Sequence, residues 1–234
     1  MSAELGTIRL DRTAAGRQQL PEEVATYVRE LIMSGSVRPG EFLRMERIAQ
    51  AVGVSNTPVR EGLLSLRSEG FVRLVPRRGF VVEPFSRQDI HDLFWTQGVL
   101  AGELAARAAK TIEPDQLARL EHLVQQYAVA QENDRDALGS LGHFFHREIN
   151  VASGSTRLAL LLGSVVKHLP NRFYAAIEGR VDATHDDHPM ILEALRERNP
   201  KKARSRMEQH IVRGADRLIE MLEQRGLWDE KSSS

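Results

Sequence analysis

The sequence contains no cysteine. This excludes a disulfide framework, a thiolate metal site and a cysteine nucleophile. The sequence also lacks any apolar run of the roughly 18–20 residues that a bilayer-spanning helix needs. Its first residues show no apolar stretch of the signal-peptide type. We therefore expect a cytoplasmic protein that has no membrane partner.

Net charge is absent as well, because 32 Lys and Arg balance 32 Asp and Glu in the 234 residues. Lysine is missing from residues 1–84, where 12 Arg against 10 acidic residues leave a charge of +2. Residues 85–234 carry 20 basic and 22 acidic residues, which leaves −2. Five of the arginines lie between Ser55 and Phe80, a stretch with only two Glu. This pattern indicates a local basic surface on a neutral protein.

Composition and helix-breaking residues divide the chain into four parts. At 41% hydrophobic and 27% charged residues, the chain has the composition of a folded globular protein. We predict a flexible arm over 1–19, a mixed α and β domain over 20–84, an all-helical domain over 85–228 and a tail over 229–234.

The domain over 20–84 alternates short helices with β-type runs. Pro21 suits the first turn of an amphipathic helix, and a second helix is predicted over Glu46–Val52. Gly53 then turns the chain into a third helix, for which Ser55 is a plausible N-cap. Two short strands follow, Phe71–Val75 and Phe80–Glu83, which form a hairpin. This order is typical of a winged helix-turn-helix, with the hairpin as the wing.

The remaining chain shows only helical periodicity. Breakers separate helices that should bundle, since each has one apolar face. The predicted ranges are about 86–110, 114–132, 136–152, 156–169, 172–198 with a break near Gly179, and 200–225. The fold class is therefore mainly α, with a small β-hairpin wing in the N-terminal domain.

Short polar and arginine side chains lie where a helix-turn-helix contacts DNA. Asn56, Thr57 and Arg60 begin the third helix, the end that enters the major groove. Ser55 and the helix N-terminus can bind a phosphate. Arg77, Arg78 and Gly79 form the hairpin tip, which can contact the DNA backbone or the minor groove. Composition and periodicity alone leave open a small helical domain with a solvated hairpin.

The amino-acid sequence of this domain resembles the winged helix-turn-helix of the GntR family of bacterial transcription regulators. The resemblance is carried mainly by three segments, Gly40–Leu43, Gly53–Leu63 and Arg78–Val82. Asn56 replaces an arginine that the family usually has at this position. Glu46 occupies a second position where the family often has arginine. The resemblance implies that Thr57, Arg60 and Arg78 sustain DNA binding, with altered base preference.

Three of the eight histidines lie on or beside apolar helix faces, namely His146, His188 and His210. Each one alone could be a hydrogen-bonded core residue, because a buried polar group needs a partner. Together, on three helices of one bundle, they could converge on a transition metal. The spacing leaves both interpretations open.

Residues 86–225 resemble the FCD domain, the helical ligand-binding domain of the FadR subfamily of GntR regulators. The resemblance implies that His146, His188 and His210 hold a divalent metal, zinc or nickel, together with an Asp. That Asp is replaced by Gly142, so a water or an anionic effector would complete the metal shell. Asp186 and Asp187 could accept hydrogen bonds from the ligating histidines.

The same resemblance implies a small effector that carries a carboxylate. Gln97 stands where an effector-binding arginine is common, and His143 and Arg172 are further candidate effector residues. The expected function is a homodimeric regulator, usually a repressor, that binds a palindromic operator under control of the effector. A metal-dependent hydrolase and a constitutive DNA-binding protein with a degenerate ligand domain are the alternatives.

Overall fold

The computed structural model describes residues 14–130, 135–178 and 181–228, and these form two compact units. The first unit comprises the described residues up to Phe85 and the segment that begins at Leu222; the second unit comprises Ser86–Met221. The boundary after Phe85 lies one residue from the predicted one. The structure differs from the prediction at the other end, where the segment from Leu222 belongs with the first unit. The predicted tail over 229–234 lies outside the described residues.

The first unit contains three helices and three strands in the part that the structure describes. Their bounds are α1 Ala14–Met33, β1 Phe42–Leu43, α2 Met45–Val52, α3 Asn56–Ser68, β2 Val72–Val75 and β3 Gly79–Val82. The winged helix-turn-helix order is thus present, with one strand, β1, that the sequence patterns did not predict. At two residues, β1 is too short to show an alternating pattern.

Helix α1 begins earlier than predicted. It starts at Ala14, inside the predicted arm, so Pro21 lies in the helix interior rather than in its first turn. The residues that precede Pro21 include alanine, arginine and glutamine, which are strong helix formers. Their high helix propensity extends α1 from Pro21 towards the N-terminus. The rest of the predicted arm, residues 1–13, lies outside the described residues.

Helices α1 and α3 pack at very close range. The approach occurs at Gly62 of α3, where an added Cβ would lie 2.6 Å from the carbonyl oxygen of Pro21 and 2.9 Å from Val24. A side chain at this position would therefore collide with the backbone of α1. The core that this packing builds has the following fully buried members: Val24, Ala25, Val28, Val59, Leu63 and Leu66.

The three strands form one antiparallel sheet in the order β1-β3-β2. Phe80 of β3 pairs with Leu43 on one side and with Leu74 on the other. The β2–β3 turn places Arg77 at φ 64° and Gly79 at φ 97°. Glycine adopts this left-handed region without strain, whereas arginine does so at a cost.

The second unit is a helical bundle. Its helices are α4 Arg87–Thr111, α5 Pro114–Val129, α6 Arg135–Ala152, α7 Thr156–Val166, α8 Asn171–Glu178, α9 Val181–Arg196 and α10 Pro200–Gln224, whose end continues into the first unit. Helices α8 and α9 cover most of the predicted helix over 172–198, and the predicted break near Gly179 lies outside the described residues. None of the described helices is long and apolar enough to span a membrane.

Helix α4 forms one wall of the bundle core. Ser86 and Asp89 begin it with a reciprocal capping box, in which each side chain accepts a backbone N–H of the other residue. Alanines 101, 105, 108 and 109 on its inner face are buried and allow neighbouring helices to approach. Larger side chains fill the core from the opposing helices, namely Phe145, Ile149, Ile191, Leu195 and Met207. The histidines of interest lie on these same helices.

Candidate nucleic-acid interface and metal centre

The first turns of α3 present polar side chains to solvent. Asn56, Thr57 and Arg60 are exposed, whereas Val59 and Leu63 on the opposite face are buried. An amphipathic helix that buries its apolar face must present these polar residues outward. The structure therefore brings the three predicted DNA-contacting residues to one surface, which the first unit can offer to a groove.

Ser55 occupies the N-cap position of α3 with extended backbone angles. Its side chain does not make the capping hydrogen bond that the sequence led us to expect. Backbone N–H groups at a helix N-terminus favour an anionic partner. The side chain is exposed, as a phosphate contact at this helix end would require.

The hairpin tip carries two exposed cations, Arg77 and Arg78. The Arg78 guanidinium lies 4.5 Å from the centre of the Phe42 ring, a cation–π contact with β1. This contact holds the Arg78 side chain against the sheet. The predicted wing residues thus lie together at the end of the hairpin.

A buried ion pair joins α1 to the end of α3. The Arg29 guanidinium donates through Nε and Nη2 to the two Glu69 carboxylate oxygens, each at 2.8 Å. Burial alone would lower the pKa of Arg29, but the carboxylates of Glu69 and Glu22 outweigh it and raise that pKa. The two-pronged geometry fixes the position of α3 on α1.

In the second unit, His146, His188 and His210 meet from helices α6, α9 and α10. Each offers one ring nitrogen, and these nitrogens all lie within 4.8 Å of one another. The Nε2 atoms of His146 and His210 are 3.2 Å apart. His188 and His210 are buried, and the His188 ring stacks on Phe145 with centroids 4.4 Å apart. We call these three residues the histidine cluster.

Asp187 and Arg213 support one side of the histidine cluster. An Asp187 carboxylate oxygen lies 3.3 Å from Nδ1 of His210, and the other accepts a hydrogen bond from Arg213 at 2.7 Å. Burial raises the pKa of Asp187, but the hydrogen bonds and charges of His210 and Arg213 outweigh it and lower that pKa. The ionised carboxylate favours a proton on Nδ1 of His210, which leaves the Nε2 lone pair directed at the cluster.

This arrangement fits a transition metal. Two nitrogens that share a tetrahedral zinc ion at 2.0–2.1 Å would be ~3.3 Å apart, close to the separation of the His146 and His210 Nε2 atoms. Asp187 provides the carboxylate acceptor to which a ligating histidine usually donates its other ring N–H, here Nδ1–H of His210. Within the described residues, no acidic side chain joins the histidine cluster, and buried Gly142 on α6 offers none.

The predicted effector residues lie in different surroundings. Gln97 of α4 is buried, its Oε1 accepts a hydrogen bond from the Tyr174 hydroxyl at 3.1 Å, and its Nε2 has no acceptor among the described atoms. His143 is exposed on α6 beside Phe144, outside the histidine cluster. Arg172 is exposed, with its guanidinium over the Phe173 ring.

Two residues of this region were not predicted from the sequence. Tyr174 reaches Gln97 from α8, and burial raises its pKa well above the ordinary value, so the hydroxyl stays protonated. Arg213 lies three residues after His210 on α10, on the same side of that helix. This spacing was the available signal for Arg213, whereas nothing in the sequence links Tyr174 to Gln97.

The fold and these two sites define a DNA-binding transcription regulator with a separate helical domain. Residues 20–82 match the family model of the gntR family of bacterial regulatory proteins, and residues 92–213 match the FCD domain. The chain belongs to the GntR family and carries an FCD domain. These families and the relatives below are transcription regulators and not enzymes.

Curated relatives support this assignment. The Exu regulon transcriptional regulator of Escherichia coli is 27% identical over 217 residues, which cover 83% of this chain and 82% of the relative. An uncharacterized HTH-type transcriptional regulator of Bacillus subtilis, YdhC, is 21% identical over 201 residues, which cover 84% of this chain and 90% of the relative.

Solved structures show the same fold. The Escherichia coli protein McbR/YncC matches with a TM-score of 0.59 and 20% identity, covering 88% of this chain and 98% of the other. A GntR family transcriptional regulator from Pseudomonas syringae matches with a TM-score of 0.56 and 23% identity, covering 90% of this chain and 89% of the other.

Proposed function

We propose that this protein is a repressor of the FadR subfamily whose operator affinity is controlled by a small carboxylate-bearing metabolite. The metabolite binds in the second unit, where the histidine cluster holds a divalent metal. The observation that carries the proposal is the convergence of three imidazoles, one of them oriented by Asp187. A metal with an open coordination position would bind the effector directly.

Zinc and nickel suit this set of ligands because both accept several neutral imidazoles. Three such ligands leave the metal charge uncompensated, and the buried Gly142 adds no carboxylate from α6. An anionic ligand is therefore favoured in the remaining position. Gln97 supports a second contact, since a buried amide nitrogen gains by donating to an effector oxygen.

Elemental analysis tests the metal site. Protein prepared without an affinity tag or chelator should contain about one metal ion per chain, because each chain has one histidine cluster. His188→Ala should lose the metal. His122→Ala is the matched control, because His122 is exposed on α5 and outside the cluster. Absence of metal from all three proteins would contradict the proposed site.

Effector binding has its own test. Calorimetric titration of the metal-loaded protein with a panel of small carboxylates should identify a ligand whose affinity falls in His188→Ala and in Gln97→Leu. The leucine variant keeps the side-chain volume but removes the amide. A ligand that binds all of these proteins equally would not occupy the proposed site.

Operator binding requires a duplex of unknown sequence, so the probe is a random-sequence DNA library. Selection should enrich an inverted repeat, because two copies of the chain would read two half-sites. Addition of the effector should release the selected duplex, as expected of a repressor. Enrichment of no common sequence would contradict sequence-specific regulation.

A homodimer is part of the proposal, and helix α7 supports it. Most residues of this helix are apolar, and Leu160 and Leu161 are 70% and 56% exposed. A helix of this composition is normally covered, so its outer face is suited to a second copy of the chain. Arg157 and Ser164 lie on the same exposed face.

Light scattering measures the dimer directly. The wild-type protein should have the mass of two chains, and the double variant Leu160→Asp with Leu161→Asp should shift towards one chain. Val129→Asp is the control, because Val129 is 80% exposed at the end of α5. A double variant that remains dimeric would exclude α7 as the contact surface.

A further inference from the structure

Helix α10 continues beyond the histidine cluster into a short segment that belongs to the first unit. The helix carries His210 and ends at Gln224, and the chain from Leu222 onward is part of the first unit. We call Leu222–Trp228 the α10 extension. One continuous piece of chain therefore bears a candidate metal ligand and a part of the first unit.

The end of α10 is built as a sharp turn. Leu227 N–H donates to the Leu222 carbonyl at 3.1 Å, Gly226 N–H donates to the Glu223 carbonyl at 2.8 Å, and Gly226 has φ 72°. This is a Schellman motif, which stops a helix and reverses the chain direction. The turn directs Leu227 and Trp228 away from the helix axis.

Both residues after the turn contact other residues of the first unit. A Cβ placed on Gly35, which follows α1, would lie 3.9 Å from a Leu227 methyl carbon. The Trp228 indole Nε1 donates a hydrogen bond to the Phe85 carbonyl at 2.7 Å. A short bond to a single backbone oxygen fixes Phe85 in place.

Phe85 in turn contacts Phe71, which lies shortly after the end of α3. Its ring stacks on the Phe71 ring with centroids 5.2 Å apart and planes at 22°. Phe71 is buried, its N–H donates to the Leu66 carbonyl of α3, and its carbonyl accepts from Glu83 beside β3. A connected set of contacts therefore runs from Trp228 to the end of α3 and to the wing strand.

We propose that Trp228 is a positioning residue for operator binding. Through its contact with Phe85, and through the contact of Phe85 with Phe71, it sets the position of α3. It also transmits to these residues the metal-dependent position of α10, which carries His210. The second part rests on the proposed metal site, whereas the first part does not. Zinc bound by the histidine cluster would thereby change the DNA affinity of the first unit through the α10 extension.

The positioning role is tested without metal. Trp228→Phe keeps an aromatic ring and removes the N–H, so operator affinity measured by anisotropy in chelator should fall about fivefold, the factor of one hydrogen bond. Trp95→Phe is the matched control, because Trp95 is the other tryptophan and is exposed on α4. Equal affinity of Trp228→Phe and wild type would overturn the positioning role.

The transmission of the metal state has a fluorescence test. In Trp95→Phe, Trp228 is the sole tryptophan, and its acrylamide quenching should change as zinc is added and saturate at one zinc per chain. The same protein with His188→Ala should show no change. Trp228→Phe should also lose the zinc dependence of operator affinity, which a structural defect alone would leave intact.

The outcomes separate the two proposals. Zinc that binds stoichiometrically without altering Trp228 quenching overturns the transmission and leaves the metal site standing. Failure to bind zinc removes the metal site and the transmission together. In that case the operator affinities in chelator still decide whether Trp228 positions α3.

Discussion

Arg60 combines exposure with a firmly anchored helix. It is exposed near the start of α3, while Val59 and Leu63 beside it are buried. We expect Arg60→Ala to lower operator affinity about 5- to 150-fold, the range for losing one arginine contact to a base. Fluorescence anisotropy with the selected duplex measures this loss.

The control for Arg60→Ala is Lys201→Ala, which removes one exposed cation at the start of α10. It should bind the operator as the wild type does. Both variants should unfold at the wild-type temperature, because neither side chain is buried. Wild-type affinity in Arg60→Ala would show that this arginine does not contact the operator.

Asp187 offers a test of the metal site that leaves all three histidines in place. Asp187→Asn removes the negative charge that orients the His210 ring, and we expect zinc affinity to fall roughly 10- to 100-fold. Competition with a chromogenic chelator measures the affinity. Asp216→Asn, which changes an exposed acid on α10, the helix that carries His210, should leave the zinc affinity unchanged. Equal losses in both variants would point to net charge rather than orientation.

At the scale of elements, the contact between α1 and α3 depends on one glycine. Gly62→Ala would place a methyl group 2.6 Å from the Pro21 carbonyl oxygen, so the helices must separate. We expect the free energy of unfolding to fall by about 1–3 kcal/mol, the usual cost of overpacking a core. Urea unfolding of the protein followed by circular dichroism measures this free energy.

Leu64→Ala is the neighbouring control for Gly62→Ala, since Leu64 lies on the outer side of α3 and is 36% exposed. It should change the free energy of unfolding by less than Gly62→Ala does. A Gly62→Ala protein as stable as the wild type would mean that α1 moves away at no cost, and the tight packing would have no role in stability.

Elements with a repeating pattern could be predicted from the sequence, and irregular ones could not. Helix α6 and the hairpin strands lie close to their predicted ranges, and α3 begins directly after its predicted N-cap Ser55, because periodic burial fixes these elements. Strand β1 has only two residues, and it depends on pairing with β3. The α10 extension joins the first unit through a turn and a tertiary contact, neither of which is visible in local sequence.

At the scale of the whole molecule, two units with separate cores predict two unfolding transitions. Zinc in hundredfold excess over its dissociation constant should stabilise the second unit by about 2.7 kcal/mol. Scanning calorimetry should therefore show one transition moving strongly to higher temperature. His188→Ala should abolish the shift, and a shift confined to the first unit would place the metal elsewhere.

The same distinction between what the sequence pattern predicts and what it does not applies to the residues of the two candidate sites. The exposed residues of α3 and the three histidines could be named from the sequence because each lies in a helix with a clear apolar face. Asp187 could also be named as an acceptor for a ligating histidine, but its pairing with His210 and the role of Arg213 depend on how α9 and α10 meet, which spacing within one helix does not reveal. Likewise, the contact of Tyr174 with Gln97 joins two residues that are 77 positions apart in the chain.

The contact of Arg78 with the Phe42 ring has a consequence for the rate and cost of complex formation. An unrestrained arginine loses about 2 kcal/mol of side-chain conformational freedom when it becomes fixed. Here a part of that freedom is already lost in the unbound protein, through a two-residue strand that supplies the aromatic ring. An anionic partner that contacts Arg78 would therefore meet a side chain whose conformation is already restricted, and the smaller entropic penalty would favour a longer-lived complex.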